Sequence, residues 1–229
     1  YLELNRLQNS LKNGQLDLVL SSAGNYRRFL LEGYGLRDLA TMVSNQAPNP
    51  NYAEGSVFFV RSDRKDLDSI ASLKDKSVSA NYPFAFSGWQ IAAGELMKRG
   101  FDPDHFFSKM DFLGHGAAPV IDAVMSGKTD AGIVRACVLE NAGLIKSGKV
   151  KVLEPKETTD FPCEVCTRLY PNWTLSTTPN TPPEISRKVT AAARAAQKLR
   201  REIEDAPLIG RVRLSLRPVN AALRYEHKI

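Results

Sequence analysis

The chain has 229 residues, 43% hydrophobic and 24% charged, with a formal net charge of +6. That balance excludes a disordered or fibrous chain and allows one large domain or two modest lobes, each with its own core. The excess of basic residues is scattered, apart from a run at 187–204 at helical spacing with no interleaved aromatics, so a small anionic ligand is the expected partner and nucleic acid is not.

Leu4, Leu7 and Leu11 in "ELNRLQNSLKN" share one helical face, and Gly14 supplies a stop. "QLDLVLSS" reads as a strand, "YRRFLLEGYG" as the start of a helix and "DLATMVSN" as a short strand; "GSVFFVRSD" is an apolar strand that leaves the first layer. A regular alternation follows. "SLKDKSVSAN", "KMDFLGH", "DAGIVRA" and "KVKVLEP" are predicted strands, separated by helices in "SGWQIAAGELMKRG", "AAPVIDAVMSG" and "CVLENAGLIKSG". Strands alternating with helices of this length predict βαβ units and mostly parallel sheets. After Pro155 a Pro- and Thr-rich stretch reads as a return crossing, and a helix is expected from about Pro183 to Ile203. The lobe boundaries predicted from this pattern are 1–62 with 163–229 for the first lobe and 63–162 for the second.

No apolar run approaches the roughly 20 residues a bilayer requires, and no secretory leader is visible at the start. The chain begins at Tyr1 rather than a methionine and is read as a piece of a longer protein. Three cysteines, Cys137, Cys163 and Cys166, allow at most one internal bridge.

In open α/β sheets ligands bind at the carboxyl ends of strands. Ser21, Ser22, the "PFAFSG" segment, His115, Arg135 and Cys137 all fall at such ends. Ser87 and Gly88 lie at a helix start, where free amides, the helix dipole and a serine hydroxyl suit an oxyanion, with an ordinary serine cap as the default reading of such a start. "LSSAGNY" repeats the device ahead of Tyr26. His115 stands between two glycines and can donate to an oxyanion, or be a surface imidazole. Arg135 ends an apolar strand, where its charge needs an anion or a carboxylate; Glu140 is the nearest candidate in sequence. Cys137 opens a helix, which favours a thiolate, against the default of a buried inert thiol. The aromatics Tyr82, Phe84, Phe86, Trp89, Tyr170 and Trp173 gather near the two lobe crossings, most as core and one or two as cleft wall. His105 and His227 stand in unrelated contexts, so no metal and no cofactor are expected.

With "GQLDLVLSSAGNY", "LKDKSVSANYPFAFSGWQ" and "FLGHGAAPVIDAVMSGKTDAG" in view, the chain resembles the phosphonate-binding-protein-like branch of the type 2 periplasmic binding proteins. "DAGIVRACVLE" and "FPCEVCTRLYPNW" are similar to the extracytoplasmic sensor domain of tetrathionate-sensing histidine kinases. The resemblance implies an α/β, two-lobed fold with an interlobe ligand cleft. It implies that Ser21, Ser22 and Tyr26 line the first lobe's side, that Phe86, Ser87 and Gly88 receive the anion, and that His115 donates from the second lobe. A thiol at Cys137, where the family tends to place a carboxylate, disfavours an aminoalkylphosphonate and favours a sulfur oxyanion, with Arg135 supplying charge and Cys163 as a further contact. The family's first strand and helix are expected to precede residue 1.

The expected function is that of a non-enzymatic, extracytoplasmic sensor domain. It would be tethered to the inner membrane by a kinase module in the same polypeptide, with a homodimer as a candidate state. The alternative is a solute-binding protein serving the permease of a phosphonate- or phosphate-type ABC transporter. A cysteine-dependent enzyme is the third reading.

Overall fold

A computed structural model describes residues 4–44, 47 and 49–204, with side chains through residue 197. One compact unit runs to Thr190 and contains both sheets; the second, from Ala191, is described only as helix, and residues 205–229, His227 among them, lie outside the described residues.

The chain opens with α1 (Leu4–Lys12), β1 (Leu18–Ser21), α2 (Ala23–Leu31) and β2 (Arg37–Thr41). These surround a small core of Leu11, Val19, Phe29 and Leu36. β1 and β2 do not touch. Both pair antiparallel with β8 (Thr174–Thr177), which returns from the far end of the chain to lie between them. The strand falls inside the stretch expected to be a crossing. "TLST" has little apolar content to announce it, and Ser176 and Thr177 are buried because the ladder and side-chain bonds satisfy them: Ser176 Oγ donates to the Val19 carbonyl.

The five-stranded sheet has the order β5-β4-β6-β3-β7, from β3 (Ser56–Arg61), β4 (Ser77–Ala80), β5 (Lys109–Phe112), β6 (Ala131–Arg135) and β7 (Val150–Val152). Val57, Phe58, Phe59 and Val60 are all buried, because β3 is covered on both faces, as a continuous apolar run requires. The helices α3 (Ile91–Lys98) and α4 (Ala118–Met125) separate β4, β5 and β6, which pair parallel. The sheets are not mostly parallel: the smaller is antiparallel throughout, and in the larger, mixed sheet β3 runs antiparallel to both β6 and β7. The alternation was periodic in sequence, but period does not fix direction where a strand enters from another layer. β3 belongs to the larger sheet together with β4 to β7. The helix expected in "CVLENAGLIKSG" is a single turn, α5 (Val138–Asn141). The last helix, α6, spans Pro183–Glu204.

The outgoing and returning crossings lie side by side. Glu54 and Tyr170 form an antiparallel bridge, with the Glu54 amide donating to the Tyr170 carbonyl at 2.9 Å and the reverse bond at 2.8 Å. Met42 N donates to Trp173 O, and Asn172 N to Pro50 O. No helix among the described residues is long and apolar enough to cross a membrane.

Candidate functional site

The parallel strands deliver their carboxyl ends to one place. Asn81 and Tyr82 follow β4, His115 follows β5, and Arg135 ends β6. Because β3 pairs antiparallel with β6, its amino end lies at the same edge: Ser56 stands opposite Arg135, and Glu54 comes just before it. From the smaller sheet, Ser21 ends β1 and Ser22 caps α2. Of these, Ser21, Ser22, Glu54, Asn81, Tyr82, His115 and Arg135 line a cavity of about 570 Å³, with Phe84, Phe86, Ser87, Gly88 and Trp173 in its wall.

Between Ala85 and α3 the backbone makes a π-helical turn, Phe86–Gln90, in which Ser87, Gly88 and Trp89 are buried. The first amides that bond back are Trp89 and Gln90, both to Ala85 O, so those of Phe86 to Gly88 precede the ladder and face no helical partner. Such wide turns recur at ligand sites, where they tilt a helix start. Gly88 fits because a Cβ there would come within 2.4 Å of Asn81 Oδ1. Asn81 in turn donates to the carbonyls of Gly114 and Gly116, and so fixes the loop that presents His115. The His115 ring lies 4.7 Å from that of Tyr82.

The hydroxyls have distinct roles. Ser22 Oγ accepts the Asn25 amide and keeps its own proton for donation. Ser21 Oγ is buried without a hydrogen-bond partner among the described residues, in a residue only 4% exposed. Ser87 Oγ instead donates to Glu54 Oε2 at 2.5 Å, so the expected hydroxyl donor to an anion is engaged and only its amide remains. Ser56 Oγ donates to the Ser87 carbonyl at 2.8 Å, which anchors the turn from below.

Glu54 is the principal residue that sequence reading missed. It is 1% exposed, and Arg135 Nη2 lies 2.9 Å from its Oε1. Burial raises its carboxyl above the ordinary value; Arg135 and Ser87 pull it back only in part. The signal was present in sequence: like Arg135, Glu54 is a lone charge at the end of an apolar strand. The partner of Arg135 is therefore not Glu140, whose carboxylate accepts the Glu164 amide.

Three expected contacts lie outside the cavity lining. The Tyr26 hydroxyl turns to Asp38 at 3.2 Å, and its ring packs with the small core. Cys137 and Cys163 are joined in a disulfide, so neither offers a thiolate to a ligand. Cys137 precedes only one helical turn and has φ +70°, a left-handed conformation in place of a helix-start site. The third cysteine, Cys166, is buried against β3, and burial pushes its thiol up to about 12. No cysteine is thus poised as a nucleophile. Of the aromatics, Tyr82, Phe84, Phe86 and Trp173 wall the cavity, Trp89 is core, and Tyr170 meets the Phe86 ring edge-on at 5.6 Å.

Two contacts join the halves at the cavity. Gly24, in the first turn of α2, approaches the Phe86 ring so closely that a Cβ would come within 2.3 Å of it. Arg28 lies over the Phe84 ring at 5.2 Å.

Solved structures share this fold. The Xanthomonas citri protein XAC2383 bound to chloride ion superposes with a TM-score of 0.64 at 14% identity, covering 82% of this chain and 66% of its own. A binding protein component of an ABC phosphonate transporter from Pseudomonas aeruginosa gives 0.56 at 18% identity, covering 81% and 57%. PhnD1 from Prochlorococcus marinus in complex with methylphosphonate gives 0.56 at 19%, covering 79% and 63%. The chain thus spans less than two thirds of the length of each. These likenesses establish the α/β fold of the type 2 periplasmic binding proteins. No curated protein matches by sequence. Residues 3–211 match the family described as ABC transporter, phosphonate, periplasmic substrate-binding protein, and the chain belongs to that family.

Proposed function

We propose that the cavity binds a small oxyanion and that the chain is a periplasmic solute-binding protein serving a phosphonate-type ABC transporter. The lobes in this reading are the two sheet-centred halves, joined at the paired crossings of Glu54 and Tyr170. The carrying observation is the buried Ser21 Oγ, unpartnered among the described residues, facing the same cavity as the unpaired first-turn amides at Phe86–Gly88. A buried hydroxyl without a partner is costly unless a ligand completes it. Ser22 adds a donor, Arg135 a charged fork of which one arm meets Glu54, and His115 an imidazole. The disulfide agrees with an oxidising, extracytoplasmic compartment.

A second reading is a ligand-sensing domain of a histidine kinase, tethered to the membrane and responsive to tetrathionate or another sulfur oxyanion. Its support is that the disulfide joins the two segments, around Cys137 and Cys163, that resemble such sensors. Calorimetric titration with methylphosphonate, phosphate, sulfate, thiosulfate and tetrathionate tests both. Saturable binding of phosphonate or phosphate supports the transporter reading, selective binding of tetrathionate supports the sensor, and binding of none removes the oxyanion site.

A further inference from the structure

Glu54 is an awkward neighbour for an anion site. It lines the cavity yet is almost wholly buried; among the described residues its Oε1 has no aligned hydrogen-bond donor, and the cation beside it is Arg135. Arg135 is 37% exposed in its side chain and reaches into the same cavity. A ligand anion that engages the Arg135 fork therefore shares with Glu54 the positive charge that, among the described residues, lies within ion-pair distance of that carboxylate. Two anions on one cation repel, and the cheaper state neutralises one of them. Glu54 is the one that water cannot reach.

We propose that Glu54 takes up a proton when the anion binds, so that ligand and proton bind together. The balance is simple: one proton from solvent adds to the Glu54 carboxylate, the Arg135 guanidinium passes to the ligand, and no covalent bond changes. The protonated carboxyl also gains an O–H, so a repelling oxygen becomes a donor beside the ligand. Arg168 lies over the Tyr170 ring at 4.5 Å, and His115 and Tyr82 line the cavity from the loops after β5 and β4. Histidine ordinarily changes charge between about pH 5 and 8, so His115 is the competitor to be separated. The proposal rests on the oxyanion reading of the cavity.

Sulfate and thiosulfate are suitable probes because their own charge is constant through this range. Each is titrated calorimetrically into the wild-type protein in buffers of low and high ionisation enthalpy, across the same pH range. The expected result is uptake of up to one proton per anion, with affinity rising as pH falls by at most about tenfold per unit. Glu54→Gln is expected to abolish the uptake and to bind more tightly than wild type at the alkaline end, whereas His115→Gln retains the uptake. Equal heats in the two buffers overturn the proposal, as does unchanged uptake in Glu54→Gln or loss of uptake in His115→Gln. If Glu54→Gln does not fold, the wild-type buffer comparison and His115→Gln still decide. If neither these probes nor any other oxyanion binds the wild type, the reading of the cavity fails with it.

Discussion

Arg135 serves two carboxyl-sized claims at once, the buried Glu54 and the open side of the cavity. Arg135→Ala is expected to weaken oxyanion binding by about 2 kcal/mol, the loss of a charged hydrogen bond, measured by calorimetry. It should also destabilise the protein in a pH-dependent way, because Glu54 is left without a counter-charge. Burial already raises the Glu54 carboxyl above 4.5. Its stabilising contribution is therefore present below that value and lost as pH rises through the folded value. Denaturant titrations should find a larger deficit for Arg135→Ala near neutrality than in mild acid, and a deficit independent of pH would contradict the pairing. Arg135 was legible in sequence because a guanidinium ending an apolar strand demands an anion. Its partner was not: Glu54 is 81 positions away, and only the antiparallel register of β3 on β6 brings them together.

Among the elements, α2 and the π turn show how closely the two halves approach. In an ordinary helix Gly→Ala stabilises by up to about 1 kcal/mol. At Gly24 the new methyl would lie 2.3 Å from a carbon of the Phe86 ring, so one of the two must move. Overpacking of this kind costs about 1–3 kcal/mol, which reverses the sign. Gly24→Ala is accordingly expected to lower stability in chemical denaturation and to weaken ligand binding; a gain in stability would show that the contact is not held in solution. Elements with a strong period were readable from the chain: β4, α3, β5, α4 and β6 all fall where the alternation predicted them. β8 and the single turn α5 were not, since a short Thr-rich strand and a helix cut off by Gly143 are decided by long-range pairing and loop geometry rather than by local pattern.

For the whole molecule, the disulfide ties the end of β6 to the returning crossing, closing a loop with a sequence separation of 26. A loop of that size constrains the unfolded chain by about 3.5 kcal/mol in the entropic account. Replacing Cys137 and Cys163 together by serine should lower stability by an amount of that order. A thiol reagent should find no reactive group in the native wild type and one after unfolding, because Cys166 is buried with its thiol raised to about 12. Rapid labelling of the native protein would place Cys166 elsewhere. The bridge itself was open in sequence, where three cysteines allow several pairings.

The two neighbouring backbone passages at Glu54 and Tyr170 also have a mechanical consequence. In the two-lobed reading proposed above they act like the spine of a book, which permits one easy swing and resists sliding. In that reading, groups on the axis, Glu54 among them, would keep their surroundings throughout the swing, whereas the Arg28 and Phe84 pair, which joins the two halves at the cavity, would be parted by it. Changes at Arg28 or Phe84 should therefore alter how fast a guest enters and leaves, and changes at the spine how firmly it is kept.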